Sequence, residues 1–210
     1  MSTTEQATIL ISGVRIPDSK LAQEATELVR DTESPLLFNH STRVYYFGAL
    51  AGKQRGLKFD PELLYIGAMF HDMGLTPRYS SKTDRFEVDG ANSARAFLRQ
   101  HKIPEQDIDA VWTAIALHTT PGIPQYMHPV IALVTAGVEM DVLGIGYSDF
   151  AEADRKQSSE RIRGLPTSKK TSFERSTTAS NISRKQRLAM SKQMFLRTKI
   201  LLSGGKAFVR

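Results

Sequence analysis

The chain has 210 residues, enough for one domain with a tail, and no cysteine, which excludes a disulfide scaffold, a Cys-ligated zinc site and a thiol nucleophile. Its net charge of +6 suggests a basic protein, but residues 155–210 hold 15 Lys and Arg against 2 Asp and Glu, a net of +13. Residues 1–154 hold 13 against 20, a net of −7, so an acidic body carries a basic tail and the average describes neither.

The opening segment, MSTTEQATIL, has neither the charged start nor the apolar stretch of a signal peptide. The apolar run near Ile131–Val138 is far shorter than the roughly 20 residues that span a bilayer. The reading is a cytoplasmic protein with no membrane partner.

Helix signals dominate from about residue 17 to residue 143. Asp18 and Ser19 can cap a first helix after Pro17, with Leu21, Ala25, Leu28 and Val29 on one face. Ser34-Pro35 opens a second, in which Leu37, His40, Val44, Phe47 and Leu50 recur at helical spacing. Asp60-Pro61-Glu62 supplies an N-cap with Pro at the first helical position, and Gly74 and Pro77 stop the helix that follows. Residues 78–88 read as a polar loop, after which Asp89-Gly90 precedes a helix through Ala94, Phe97 and Leu98 to about Lys102. Pro104 starts the next, with Ile108, Val111, Trp112, Ile115 and Ala116 apolar, and Thr119 to Met127 forms a loop. His128-Pro129 opens a last helix, Val130 to Leu143, apolar nearly all round and hence buried. No run alternates with period two long enough to predict a strand. The fold class is all-α, with Tyr45, Tyr46, Phe97 and Trp112 in its core.

Four potential metal ligands lie inside apolar helical stretches: His40, the adjacent pair His71 and Asp72, and Asp141. Burying a lone carboxylate costs several kcal/mol unless it is paired or bound to a metal. Two imidazoles and two carboxylates suit a divalent ion such as zinc, iron or manganese. Neighbouring residues point about 100° apart on a helix. His71 and Asp72 can therefore share an ion only near the helix end, where Gly74 lets the chain turn. A hydrogen-bonded core histidine and carboxylates that cap helices or pair with Arg are the alternatives that these residues alone leave open.

The order and spacing of FNHSTRVYYFGAL, FHDMGL, RFEVDGANSARAFL, AIALHTTPGIP and VTAGVEMDVLGIGY resemble the cyanamide hydratase-like proteins of the HD domain superfamily, over about residues 15–154. The resemblance implies a helical HD bundle whose His40, His71, Asp72 and Asp141 bind one divalent ion, zinc first, with iron or manganese as alternatives. It implies addition of water to a small nitrile, cyanamide, to give urea. Two-metal relatives use further histidines between the doublet and the last Asp. Here His101 sits in a polar segment and His128 at a helix start, which leaves His118 and favours one metal.

His118 ends an apolar helical face, where a helix C-terminus favours imidazolium, and is assigned as proton donor to the nitrile nitrogen; a bond to a helix-end carbonyl is its plainer reading. Glu87, read as lying in the loop, is assigned to the substrate's amino end. Thr119, Thr120 and Asp89 are weaker candidates. Arg78, Lys82 and Arg85 keep phosphohydrolysis of a nucleotide or phosphomonoester as the second enzymatic reading. A non-catalytic product with a nucleic-acid-binding tail is the third, disfavoured because the tail lacks interleaved aromatics. The division is an N-terminal extension over 1–15, an HD domain over 16–154 and a basic tail over 155–210; homo-oligomerisation is left open.

The tail departs from the body in kind: it is basic, rich in Ser and Thr, and has no core face. Grouping the bases of permitted codons one position earlier across Thr171 to Lys199 yields IIRAFYDGIKHLPETTFGNVKADVLADK, which restores acidic residues, aromatics and an apolar helical face. Residues from about 156 onward are therefore read as out of frame, through an indel in the gene or in its recorded sequence. Transcript sequencing across codons 150–160 should find a break of one base, and a version carrying the restored string should melt higher and turn over faster. An uninterrupted frame whose codons do not match the string would refute the shift.

Overall fold

A computed structural model of the chain describes residues 10, 11 and 13–146. The basic tail and the proposed frame change lie outside these residues. Among the described residues six α-helices follow one another: α1 (Lys20–Thr32), α2 (Pro35–Gln54), α3 (Pro61–Phe70), α4 (Phe86–Gln100), α5 (Glu105–Leu117) and α6 (Pro129–Leu143). The fold is all-α, as an HD-type bundle requires.

The helix starts follow the local chemistry. Ser19 Oγ accepts from the Ala22 amide at 3.0 Å, and Ser34 does the same for Leu37, with Pro35 at the first position of α2. Asp60 accepts from the Glu62 and Leu63 amides, again ahead of a proline. His128 Nδ1 accepts from the Val130 amide at the start of α6, and left-handed Gly144 ends that helix.

Two departures from the sequence reading concern short features. Leu10–Ile11 (β1) and Val14–Arg15 (β2) pair as an antiparallel hairpin, too short to show period-two alternation. Val14 is buried, and the Tyr45 hydroxyl donates to the Arg15 carbonyl at 2.6 Å, so residues 14 and 15 pack onto the body. Helix α4 begins at Phe86, not after Asp89-Gly90. Gly90 is a contact glycine: a Cβ there would sit 3.0 Å from the Phe70 carbonyl oxygen and 3.1 Å from that of His71. A Cβ on Gly74 would meet the Phe86 carbonyl oxygen at 2.0 Å. These two glycines let the start of α4 close on the end of α3, which carries Glu87 from the expected loop into a buried helical turn.

The most extensive interhelical contact is α2 against α6, which run antiparallel. Gly48 and Gly137 make it close, because a Cβ on Gly48 would lie 2.7 Å from the Leu133 carbonyl oxygen and one on Gly137 only 2.2 Å from that of Val44. Around this pair the core gathers Tyr45, Tyr46, Leu64, Ile66, Phe70, Leu98 and Ile115. Phe97 is buried as expected, whereas Trp112 is only partly buried and donates through Nε1 to Asn92 at 2.9 Å. Among the described residues no helix is long and apolar enough to cross a membrane.

The α2–α6 contact sets the distance between His40 and Asp141, so overpacking it should be felt twice. Gly137→Ala should lower stability by about 1–3 kcal/mol, the usual cost of overpacking, when measured by denaturant unfolding, and should weaken metal binding as well. An unchanged unfolding midpoint would mean that the two backbones do not meet there.

Candidate metal centre

His71 is the residue at which α3 ends, and it is completely buried. Its Nδ1–H donates to the Ala68 carbonyl at 2.7 Å, one turn back. That bond leaves Nε2 with a lone pair and no proton. His40 reaches the same spot from α2. Its Nδ1 lies 2.6 Å from Asp141 Oδ2, and because a carboxylate only accepts, Nδ1 carries a proton, which in the neutral tautomer leaves the lone pair on Nε2. The two Nε2 atoms face each other at 3.1 Å.

Asp72, one residue beyond the helix end, completes a triangle. Its Oδ2 lies 3.5 Å from His71 Nε2 and 3.6 Å from His40 Nε2, and one donor atom from each residue falls within 4.8 Å of the others. Bonds of about 2.0–2.1 Å around a tetrahedral ion place ligand atoms about 3.3 Å apart, so the three separations fit such an ion. The donor types fit as well, with two imidazoles and one carboxylate. Helix α3 has already ended at this point, since Asp72 has φ −105° and ψ 5°, which resolves the divergence expected of adjacent helical side chains.

The structure does not bring Asp141 to the converging donors, although the resemblance implied a ligand there. It holds Asp141 behind His40, where Arg43 grips the carboxylate through Nε at 2.6 Å and Nη2 at 2.9 Å. Burial raises the Asp141 pKa, but the hydrogen bonds from His40 and Arg43 outweigh it and hold the group below the usual carboxylate range. In this position Asp141 orients the His40 ring, as carboxylates behind metal-bound histidines commonly do. Arg43 was missed, although an arginine three residues after His40 in an apolar helix was a readable sign of a buried partner.

His118 ends α5 and is buried beside the doublet, its ring edge-on to His71 at 4.9 Å between centroids. Nδ1–H donates to the Ile115 carbonyl at 2.6 Å, and Nε2 stands 3.8 Å from the second oxygen of Asp72. The plainer sequence reading of a helix-end carbonyl bond is therefore present too. Burial lowers the His118 pKa, so the ring is neutral, which corrects the expectation of a resident imidazolium. Burial likewise pushes His71 down to about 3.

Glu87, 2% exposed in the first turn of α4, accepts from Thr119 Oγ1 at 2.6 Å and from Arg85 Nε at 3.2 Å. Burial raises its pKa, but these bonds win and hold it low, so it stays a carboxylate. Its charge acts on His118. Thr119, a weaker candidate in the sequence, is thus placed in the site, while Asp89 accepts from the Ser81 amide in the preceding loop. His101 stands apart, 3.2 Å from Glu24, and His128 caps α6.

A family model described as HD domain matches residues 37–162, more than half of the chain, and includes every residue of the site. The chain belongs to the HD domain family, whose members are generally metal-dependent hydrolases. No curated protein matches it.

His71→Ala and Asp72→Ala each remove one of three donors, and each should strip bound metal from the purified protein. Elemental analysis reads the result directly. Full occupancy in the Asp72→Ala protein would contradict the centre.

Proposed function

We propose that this HD-domain protein is a hydro-lyase that adds water to a small, neutral nitrile, with cyanamide as substrate and urea as product. The observation that carries the reading is the state of the nearby cations. Arg43 is bound to Asp141 and Arg85 is bound to Glu87, while Arg78 and Lys82, the other cations of the phosphohydrolase reading, lie exposed. A phosphate dianion needs charge-assisted partners. The guanidinium groups beside the donors are already paired with carboxylates, which favours an uncharged substrate. The burial of His71, Asp72, Glu87 and His118 favours a small one. The resemblance of the surrounding motifs to cyanamide hydratase-like proteins supports the same choice.

His40, His71 and Asp72 would hold the divalent ion, zinc by donor type with iron or manganese able to replace it. When bound, such an ion supplies Lewis acidity, which brings the pKa of water toward neutrality and polarises the electrophile. The remaining work falls to the chain. Neutral His118, anchored by its Nδ1–H, presents the Nε2 lone pair as a base. As the water oxygen bonds to the nitrile carbon, His118 takes the water proton and an electron pair of the triple bond moves onto nitrogen. The imidazolium then returns the proton to that nitrogen, and the isourea formed tautomerises to urea. Burial favours the second half of this transfer, because a ring that resists charging gives its proton back readily, while the Asp72 and Glu87 charges ease the first. Glu87, kept anionic by Arg85 and Thr119, accepts hydrogen bonds from the substrate's amino end.

A urea-release assay on cyanamide, with metal measured on the same sample, tests the reading. His118→Ala should keep its metal and lose about 10²–10⁴-fold in turnover, the usual contribution of a positioned acid or base. Loss of metal would make His118 a ligand, and near-full rate would leave it a helix-end residue. Phosphate release from a nucleotide or phosphomonoester panel, without urea production, would replace the reading with phosphohydrolysis.

A further inference from the structure

Glu33 has no part in the chemistry above. It caps the C-terminus of α1, and its backbone amide donates to Val29 at 2.8 Å. Yet it is 6% exposed, a rare position for a glutamate without an ion pair. Ser41 Oγ donates to its Oε2 at 3.2 Å, while Oε1 is buried with no hydrogen-bond partner among the described residues. Such an atom costs free energy unless something binds it.

Two observations tie the group to the metal centre. Ser41, which holds one of its oxygens, directly follows His40 on α2. Asp72, a metal donor, is near enough for its charge to act on Glu33. Burial is the larger effect and Asp72 adds to it; together they push the Glu33 carboxyl up to about 9, so it carries its proton at neutral pH. With Ser41 donating to Oε2, that oxygen is the carbonyl, and the proton sits on Oε1. The side chain thus offers a buried O–H donor with no acceptor among the described residues.

We propose that Glu33 is a substrate-binding residue whose Oε1–H donates a hydrogen bond to the nitrile nitrogen, reaching the site from the end of α1 beside Ser41. This rests on the nitrile-hydration reading. A hydrogen bond to that nitrogen draws electron density from the carbon that water attacks, and with Glu87 on the amino group it grips a linear substrate at both ends. Glu33 thereby selects substrates that end in an acceptor lone pair.

The test compares zinc-loaded full-length wild type, Glu33→Gln and Glu33→Met on cyanamide, with KM, kcat, zinc content and melting temperature measured for each. A glutamine keeps the carbonyl for Ser41 and places an N–H where the O–H was. Glu33→Gln should therefore stay within about threefold of wild type, while Glu33→Met should lose about tenfold in kcat/KM with its zinc retained, the usual worth of one hydrogen bond. Infrared spectra supply a readout that survives misfolding of the methionine variant. The protonated carboxyl band of the wild type, absent from Glu33→Gln, should shift when cyanamide is added. A folded, zinc-replete Glu33→Met with wild-type kinetics, a Glu33→Gln as impaired as the methionine variant, or a carboxyl band that cyanamide leaves unmoved would each overturn the proposal while leaving nitrile hydration intact. A wild type that makes no urea would overturn the functional reading and this inference with it.

Discussion

The site depends on two hydrogen bonds that lie outside it. Nδ1–H of His71 is tied to a backbone carbonyl of its own helix, and Nδ1–H of His40 is tied to Asp141. In a neutral ring each bond leaves the lone pair on the opposite nitrogen, and the fold sets those nitrogens 3.1 Å apart. Two imidazole lone pairs at that distance repel unless a proton or a cation lies between them. Burial makes a proton unfavourable, which is why His71 is pushed so far down, and a divalent ion answers the same demand while also engaging Asp72.

The bundle prepares this point electrostatically as well as sterically. His71 ends α3, His118 ends α5, and Asp141 lies in the last turn of α6. Three helix C-termini therefore converge near the donors, and their partial negative charge favours a cation. The start of α4 supplies the opposite polarity, where Glu87 sits with Arg85 and Thr119. The glycines at 74 and 90 bring α4 onto α3, and those at 48 and 137 bring α2 onto α6. The geometry of the candidate site is thus set by close backbone approach between helices, and the side chains follow from it.

Much of this was legible in the residues. Ser19, Ser34 and the Asp60-Pro61 pair mark helix starts because capping is local chemistry, and structure and sequence agree at all three. The donors His40, His71 and Asp72 stand out because polar residues in apolar stretches need partners. Three features were hidden for a physical reason. Gly90 reads as a helix start, but it is a contact glycine, a tertiary property, and the misreading placed Glu87 in a loop. Asp141 reads as a ligand by resemblance, while its seat behind His40 depends on Arg43 and on the α2–α6 spacing. Glu33 between Thr32 and Ser34 looks like an ordinary helix-end residue, and only the folded chain shows that one of its oxygens is buried without a partner.

The central claim, that both histidines present Nε2 lone pairs to one ion, is open to direct observation. Long-range ¹⁵N–¹H correlation spectra of the metal-free protein report the tautomer of each imidazole. His40 and His71 should both appear as Nδ1–H tautomers, and one equivalent of zinc should shift both Nε2 resonances while both Nδ1 protons remain in place. An Nε2–H tautomer at either residue, or Nε2 resonances that zinc leaves unmoved, would contradict the account.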